Sequence, residues 1–316
     1  MIGTITLNPS VDQHWIVDGL AKDDANRAKA VRQTPGGKGI NVSKVIRELG
    51  GDTRAYALLG GFPGRFLKEL VKPLDFRLSS VAIKGNTRIN TIVTDLKDGT
   101  QTRISAPGPV LDAADLNKFV KKLLLAKPKP VFWIFGGSLP RGFERSVYRD
   151  LIRVFQKNGT PCILDADDEA LRIGVQAKPF MIKPNEFEMQ RLCGKKLHTI
   201  RDYVLAAQVF VNKGIHLVVV SLASRGALFV TKDEIFGVSA PSVVVKSHLG
   251  AGDSLIGGVA WGLSRRMPLR DAAKYGVAAG TSAVMREAPR LCRRTDIPAL
   301  LKQLRVEELD GPCLGV

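Results

Sequence analysis

Gly250-Ala251-Gly252-Asp253 sets a carboxylate directly behind a turn of small residues and ahead of an apolar run, Leu255 to Leu263. That run has helical spacing, so the turn falls at a helix N-terminus. Small residues let a ligand approach backbone N–H groups closely. A helix N-terminus adds a partial positive charge and free donors, which suit a phosphate in transfer. A carboxylate at that point can take a proton from a hydroxyl attacking phosphorus. An Asp is also a favoured helix cap, and the stretch alone leaves both uses open.

A second turn, Gly36-Gly37-Lys38-Gly39, also precedes a helix, because Val42, Val45, Ile46 and Leu49 fall on one helical face that Gly50-Gly51 ends. Backbone donors, Lys38 and Asn41 on the first turn form an anion-binding set. Asn185 and Glu188 follow a short apolar strand and Pro184. Three residues apart, they share a face if a helix begins there. An amide and a carboxylate could hold Mg²⁺, partly through water; the same pair could equally be a capping box. Asp12 stands just after the first strand and Arg88 in a hairpin; each is either a surface charge or a group that meets a ligand under a closing lid. The P-loop pattern GxxxxGK[ST] is absent.

Ile2 to Leu7 reads as a buried strand ended by Asn8-Pro9-Ser10. "NTRINTIVTD" and "DGTQTRISAPG" read as a hairpin turning at Asp98-Gly99. From about Leu111, apolar strands at "VFWIF", "CILDA", "FMIK" and "LVVVSL" alternate with helical stretches near 116–125, 146–156 and 202–212. Such alternation predicts a parallel sheet covered on both faces. "GALFVT" and "EIFGVSA" read as a further hairpin, followed by helices near 254–265 and 269–285. The expected fold class is α/β: a single three-layer α/β/α domain over 1–316, with a mainly parallel sheet. A small discontinuous β lid is expected from about 10–34 and 86–106. Ligands in such folds bind at the carboxyl ends of the strands.

The chain has 316 residues and a net charge of +17, which favours anionic partners. Basic residues are dispersed and aromatics are 6%, which argues against nucleic acid. No apolar run reaches about 18 residues and no secretory signal is evident, so a membrane is not expected. Cys162, Cys193, Cys292 and Cys313 show no CxxC spacing, which fits a reducing cytoplasmic setting. The C-terminal "LDGPCLGV" is expected to fray.

In family order along the chain stand "TLNPSVD", "PGGKGINVS", "TRIN", "PGP", "GSLP", "KPNEFE", "SLASRGAL" and "GAGDS". Together they resemble the ribokinase-like, or PfkB, carbohydrate kinases, and within them the branch acting on ketohexose phosphates. The resemblance implies ATP as co-substrate and Mg²⁺. It implies Asp253 as catalytic base, with Gly250, Ala251 and Gly252 as an anion hole. Asp12, Arg27, Gly37, Lys38, Asn41, Arg88 and Ser138 would meet the sugar phosphate. Asn185, Ser221, Gly226 and Gly252 would meet the nucleotide, and Asn185 and Glu188 would organise Mg²⁺. A K⁺ site from carbonyls near Ser247, Leu249 and 283–288 and a homodimer through the lid are further implications. Fructose 1-phosphate is the expected substrate, with tagatose 6-phosphate or fructose 6-phosphate as alternatives and a non-catalytic sugar-phosphate sensor as a reading of another class. The chain departs from the usual pattern at His248, Gly136, Ala223, Arg225 and around Ala288.

Overall fold

Strand β1 (Ile2–Thr6) is wholly buried, as expected of a strand covered on both faces. The chain then leaves the main layer through β2 (Ser10–Val17) and β3 (Ala30–Gly36) and returns in helix α1 (Lys38–Glu48). β4 (Thr53–Gly60), α2 (Gly61–Val71) and β5 (Arg77–Ile83) follow, then the hairpin β6 (Arg88–Asp95) and β7 (Gln101–Ile104). The next units are α3 (Ala113–Leu124), β8 (Trp133–Gly136), α4 (Val147–Lys157), β9 (Cys162–Asp165), α5 (Asp168–Gly174) and β10 (Met181–Ile182). The last third holds α6 (Glu186–Cys193), α7 (Ile200–Asn212), β11 (Leu217–Ser221), β12 (Ala227–Val230), β13 (Ile235–Ser239), α8 (Ala251–Ser264), α9 (Leu269–Val284), α10 (Ile297–Leu301) and β14 (Arg305–Glu308). The structure is a computed structural model and describes residues 1–309.

Ten strands form one sheet in the order β14-β13-β12-β11-β10-β9-β8-β1-β4-β5. The seven from β11 to β5 run parallel, and β12, β13 and β14 add antiparallel at one edge. Side-chain alternation splits the core into two layers. Trp133, Phe135, Leu164 and Val220 face α3 to α7, while Ile134, Ile163, Met181 and Val219 face α1, α8 and α9. Fully burying a side chain of this size contributes about 1.5–3 kcal/mol. The fold class is therefore the three-layer α/β/α arrangement read from the alternating pattern.

β1 lies mid-sheet. From it the chain winds outward through β4 and β5, then crosses to the other side at β8. That reversal opens a crevice at the carboxyl ends of β1 and β8. A separate four-stranded sheet, β3-β2-β6-β7, stands over the same end. Asp12 pairs in register with Thr34 on one side and Asn90 on the other. β6 and β7 form the hairpin expected at Asp98-Gly99, with Gly99 at φ +73°.

β4, α2 and β5 fill the stretch between 51 and 86, for which the sequence pattern offered no element. The strand expected at "FMIK" is reduced to two paired residues. β14, which closes the antiparallel edge against β13, was also unforeseen. The fraying expected of "LDGPCLGV" falls almost wholly on 310–316, outside the described residues. Cys162, Cys193 and Cys292 are free thiols, and Cys313 lies beyond the described residues. Among the described residues no helix is long and apolar enough to cross a membrane.

Candidate active site

A cavity of about 1040 Å³ lies in the crevice between the main sheet and the small one. Asp253 sits on its wall in the first turn of α8 and is buried. The helix cap is Gly250, which adopts φ +76° and makes no side-chain bond. Asp253 is therefore not the cap. Its Oδ2 instead accepts from Asn41 Nδ2 at 2.8 Å. Burial, reinforced by the charge of Asp165, pushes its carboxyl up to about 6, against the pull of Lys38, the Asn41 amide and Lys183. Such a group is ionised at neutral pH but poised to take a proton. A side chain at Gly250 would be strained at that φ, and its Cβ would stand 2.2 Å from Leu291 Cδ2. The first N–H groups of α8 have no partner within the helix, which leaves them for a ligand.

Asp165, at the end of β9, is 3% exposed and lies between two ammonium groups. Lys38 Nζ stands 3.3 Å and Lys183 Nζ 3.4 Å from its Oδ1, and Lys38 also reaches Asp167 at 2.7 Å. Burial alone would raise the Asp165 carboxyl, but the two lysines outweigh it and hold it below the usual range. Burial likewise pulls the Lys38 ammonium down, and Asp165 and Asp167 outweigh that and raise it. Lys183 lies against Gly252, its Nζ 3.3 Å from where a Cβ would be. The anion turn is thus backed by a fixed positive charge.

On the side of the small sheet, Asp12 accepts from Ser10 Oγ at 2.7 Å and Asn90 Nδ2 at 2.8 Å. Gly36 carries no side chain because a Cβ there would stand 2.3 Å from the Asp12 carboxylate. Arg88 donates to the carbonyls of Asn8 and Ala106, which pins it across the mouth of the small sheet. Burial holds its guanidinium below the usual range. Arg103, on β7, also lines the cavity and has no carboxylate partner among the described residues. Gly37 and Ser138 line the same wall, and Ser138 accepts from Asn8 Nδ2 at 3.3 Å.

Asn185 caps α6. Its Oδ1 accepts from Glu188 N, and Glu188 Oε2 accepts from Asn185 N, each at 2.8 Å. The pair is a capping box, yet both residues line the cavity, and the second oxygen of Glu188 is left over. Burial raises the Glu188 carboxyl, a cost that a nearby dication would offset. Glu188, with Asn185 beside it, thus fits a hard cation that keeps most of its ligands as water and phosphate. Among the described residues no cluster of three His, Cys, Asp or Glu stands ready to cage a metal alone. Near the turn, the Val284 carbonyl accepts from the N–H groups of Lys246 and Ser247.

Ser221 also lines the cavity, paired with Asn185 across a parallel bridge. Ala251 and Gly226 flank it without lining it; Gly226 holds the turn after Ser221 at φ +95°. Arg27 is not brought to the cavity: it is exposed in the loop between β2 and β3, with its side chain among solvent. Six charged lining residues escaped the sequence reading, namely Asp165, Asp167, Lys183, Arg103, Arg141 and Arg145. The signal for two of them was present, since a lone charge ends each of the apolar strands "CILD" and "MIK".

A family profile described as pfkB family carbohydrate kinase matches residues 2–296. The 1-phosphofructokinase of Bacillus subtilis (strain 168) is 30% identical over 309 residues, covering 98% of this chain and 100% of the relative. A tagatose-6-phosphate kinase of Staphylococcus epidermidis is 31% identical over 312 residues, covering 98% and 100%. The crystal structure of phosphofructokinase-2 from Escherichia coli in complex with fructose-6-phosphate superposes with a TM-score of 0.90 at 33% identity, covering 96% of this chain and 98% of that one. The chain belongs to the pfkB family of carbohydrate kinases, phosphotransferases that act on a sugar hydroxyl.

Proposed function

We propose that the protein transfers the terminal phosphoryl group of ATP to a ketohexose phosphate, fructose 1-phosphate being phosphorylated at O6. The observation that carries this reading is the hydrogen bond from Asn41 to Asp253. It joins the sugar-side turn to a buried carboxylate at a helix N-terminus, where an alcohol and a phosphate can meet.

In this reading Asp253 accepts the proton of the attacking hydroxyl. The N–H groups at the start of α8 and the ammonium of Lys183 neutralise charge on the moving phosphoryl group. Asp12, oriented by Ser10 and Asn90, holds sugar hydroxyls, with Asn41 and Ser138 beside it. Arg88 and Arg103 grip the phosphate already on the sugar. A neutral sugar would leave those two guanidiniums without work. Lys38, clamped between Asp165 and Asp167, sets the local field and supports the sugar-side turn. Asn185 and Ser221 border the nucleotide, and Asn185 with Glu188 would hold Mg²⁺, partly through water. When bound, Mg²⁺ supplies charge neutralisation on the phosphates.

The small sheet serves as a lid, and two lids pair in a homodimer. Val31, Ile89 and Ile104 are 46%, 42% and 62% exposed on it, an apolar surface that a second copy would cover. Fructose 1-phosphate is favoured over tagatose 6-phosphate and fructose 6-phosphate by the 1-phosphofructokinase relative.

An ADP-release assay with Mg-ATP and the three sugar phosphates tests the proposal. The highest kcat/KM is expected with fructose 1-phosphate. Turnover with none of them would reduce the cavity to a binding site and return the reading to a sugar-phosphate sensor.

A further inference from the structure

A second cavity, of about 900 Å³, opens between the end of β3, the C-terminal half of α1, the turn after α2 and the loop after α9. It shares no lining residue with the first. Six cations line it: Lys44, Arg47, Arg286, Arg290, Arg293 and Arg294. Only Glu48 and Asp75 oppose them, which leaves an excess of four positive charges. Arg47 is spent on Asp75, and Arg286 is paired with Asp296. Lys44, Arg290, Arg293 and Arg294 have no carboxylate partner among the described residues.

On a chain of net charge +17, solvated arginines on a convex surface would mean little. Here they surround a concavity whose wall holds donors already taken out of water. Arg286 Nε is buried with no hydrogen-bond partner among the described residues. Lys44 Nζ donates only to neutral oxygens, the Pro35 carbonyl at 2.5 Å and Asn41 Oδ1 at 3.1 Å. Burial pulls the Lys44 ammonium down to about 8 against the opposing charges of Asp12 and Asp253, so a further counter-charge beside it would relieve a standing cost. A cavity of this size with convergent, under-satisfied cationic donors suits a small polyanion.

We propose that this second cavity binds a small molecule carrying a phosphate or diphosphate group, and that the bound anion acts on Asp253 through Lys44 and Asn41. The coupling half rests on the kinase reading above; the binding half does not. The relay is physical: Lys44 holds the amide oxygen of Asn41, whose nitrogen holds Asp253. Asp253 also faces Asp165 on β9, Lys38 on α1 and Lys183 after β10. An anion that cancels part of the Lys44 charge makes the Asp253 carboxylate harder to ionise, so the acid limb of kcat moves to higher pH.

Titration calorimetry of the full chain with inorganic pyrophosphate, without Mg²⁺, tests the site. Wild type is expected to bind at two places. Arg290→Ala/Arg293→Ala/Arg294→Ala is expected to lose one of them or weaken it by at least about tenfold, with unchanged circular dichroism. The single variant Arg290→Glu serves if the triple variant does not fold. Arms with ADP and with fructose 1,6-bisphosphate separate a nucleotide source from a sugar source. An isotherm unaltered by these variants overturns the site while leaving sugar-phosphate turnover intact. Loss of turnover by wild type with binding retained would instead count against the kinase reading alone. For the coupling, pyrophosphate at fixed free Mg²⁺ should shift the acid limb of kcat upward in wild type and not in the triple variant. A limb that stays in place in both overturns the relay.

Discussion

The Asn41 amide and the Asp253 carboxylate, 212 residues apart in the chain, meet at 2.8 Å. The contact ties the first turn of α1 to the first turn of α8, so two helix N-termini face one cavity from the same side. An anion placed between them meets donors from both. Burial makes the carboxylate beside it a stronger base, pushed up to about 6.

Asp253→Asn is expected to lower kcat by about 10²–10⁴, the usual worth of a general base. KM for both substrates should change little. Steady-state ADP release checks this, and near-full activity would remove Asp253 from the role of base.

The same carboxyl sets an acid limb. Pushed up to about 6, it is protonated and inactive as a base below that pH, so kcat should rise through pH 6 toward neutrality. Its raised value in the folded protein also means that ionisation costs stability. That cost is absent below the unfolded carboxylate value, grows between there and about pH 6, and stays level above. Asp253→Asn should therefore melt higher than wild type at pH 7, by up to about 3 kcal/mol in unfolding free energy. Thermal melts at pH 4 and pH 7 test this, and an equal difference at both would contradict it.

Lys183→Met should destabilise the fold as well as slow the reaction. Asp165 is 3% and Lys183 5% exposed, and removing one partner strands a buried charge. The expected loss is about 3–5 kcal/mol, eased by the contact that Lys38 retains. Urea denaturation measures it, and an unchanged midpoint would mean that Lys38 alone satisfies Asp165.

Arg103→Ala should raise KM for the sugar phosphate by about tenfold to a hundredfold, the worth of one charge-assisted contact. Arg103 is exposed on β7 and makes no ion pair among the described residues, so melting should not change. Arg88→Ala should raise KM similarly but also lower the melting temperature, because Arg88 holds the carbonyls of Asn8 and Ala106. Equal effects on melting for both variants would show that the two do not divide in this way.

The layer architecture was legible because the parallel strands are short apolar runs bounded by turns, and helical stretches between them have a clear period. The turns before α1 and α8 were legible for a related reason: glycines ahead of an amphipathic run signal a helix start. The stretch from 51 to 86 was not. β4 is buried over nearly its whole length, and a continuous apolar run has no period that separates strand from helix. β14 is exposed and polar, and only its pairing with β13 makes it a strand.

Residue types and spacing by themselves determined that Asp253 follows a turn of small residues at a helix start and that Asn185 and Glu188 share another, because both facts are local. They left each pair of uses open. Tertiary structure decided that Asp253 does not cap its helix, since Gly250 does, and that Asn185 and Glu188 form the capping box while still lining the cavity. It alone brought Asp165 between Lys38 and Lys183 and left Arg27 in solvent. Those outcomes depend on which loops the strand order gathers at one end of the sheet, and contacts across more than a hundred residues leave no spacing in the chain to read.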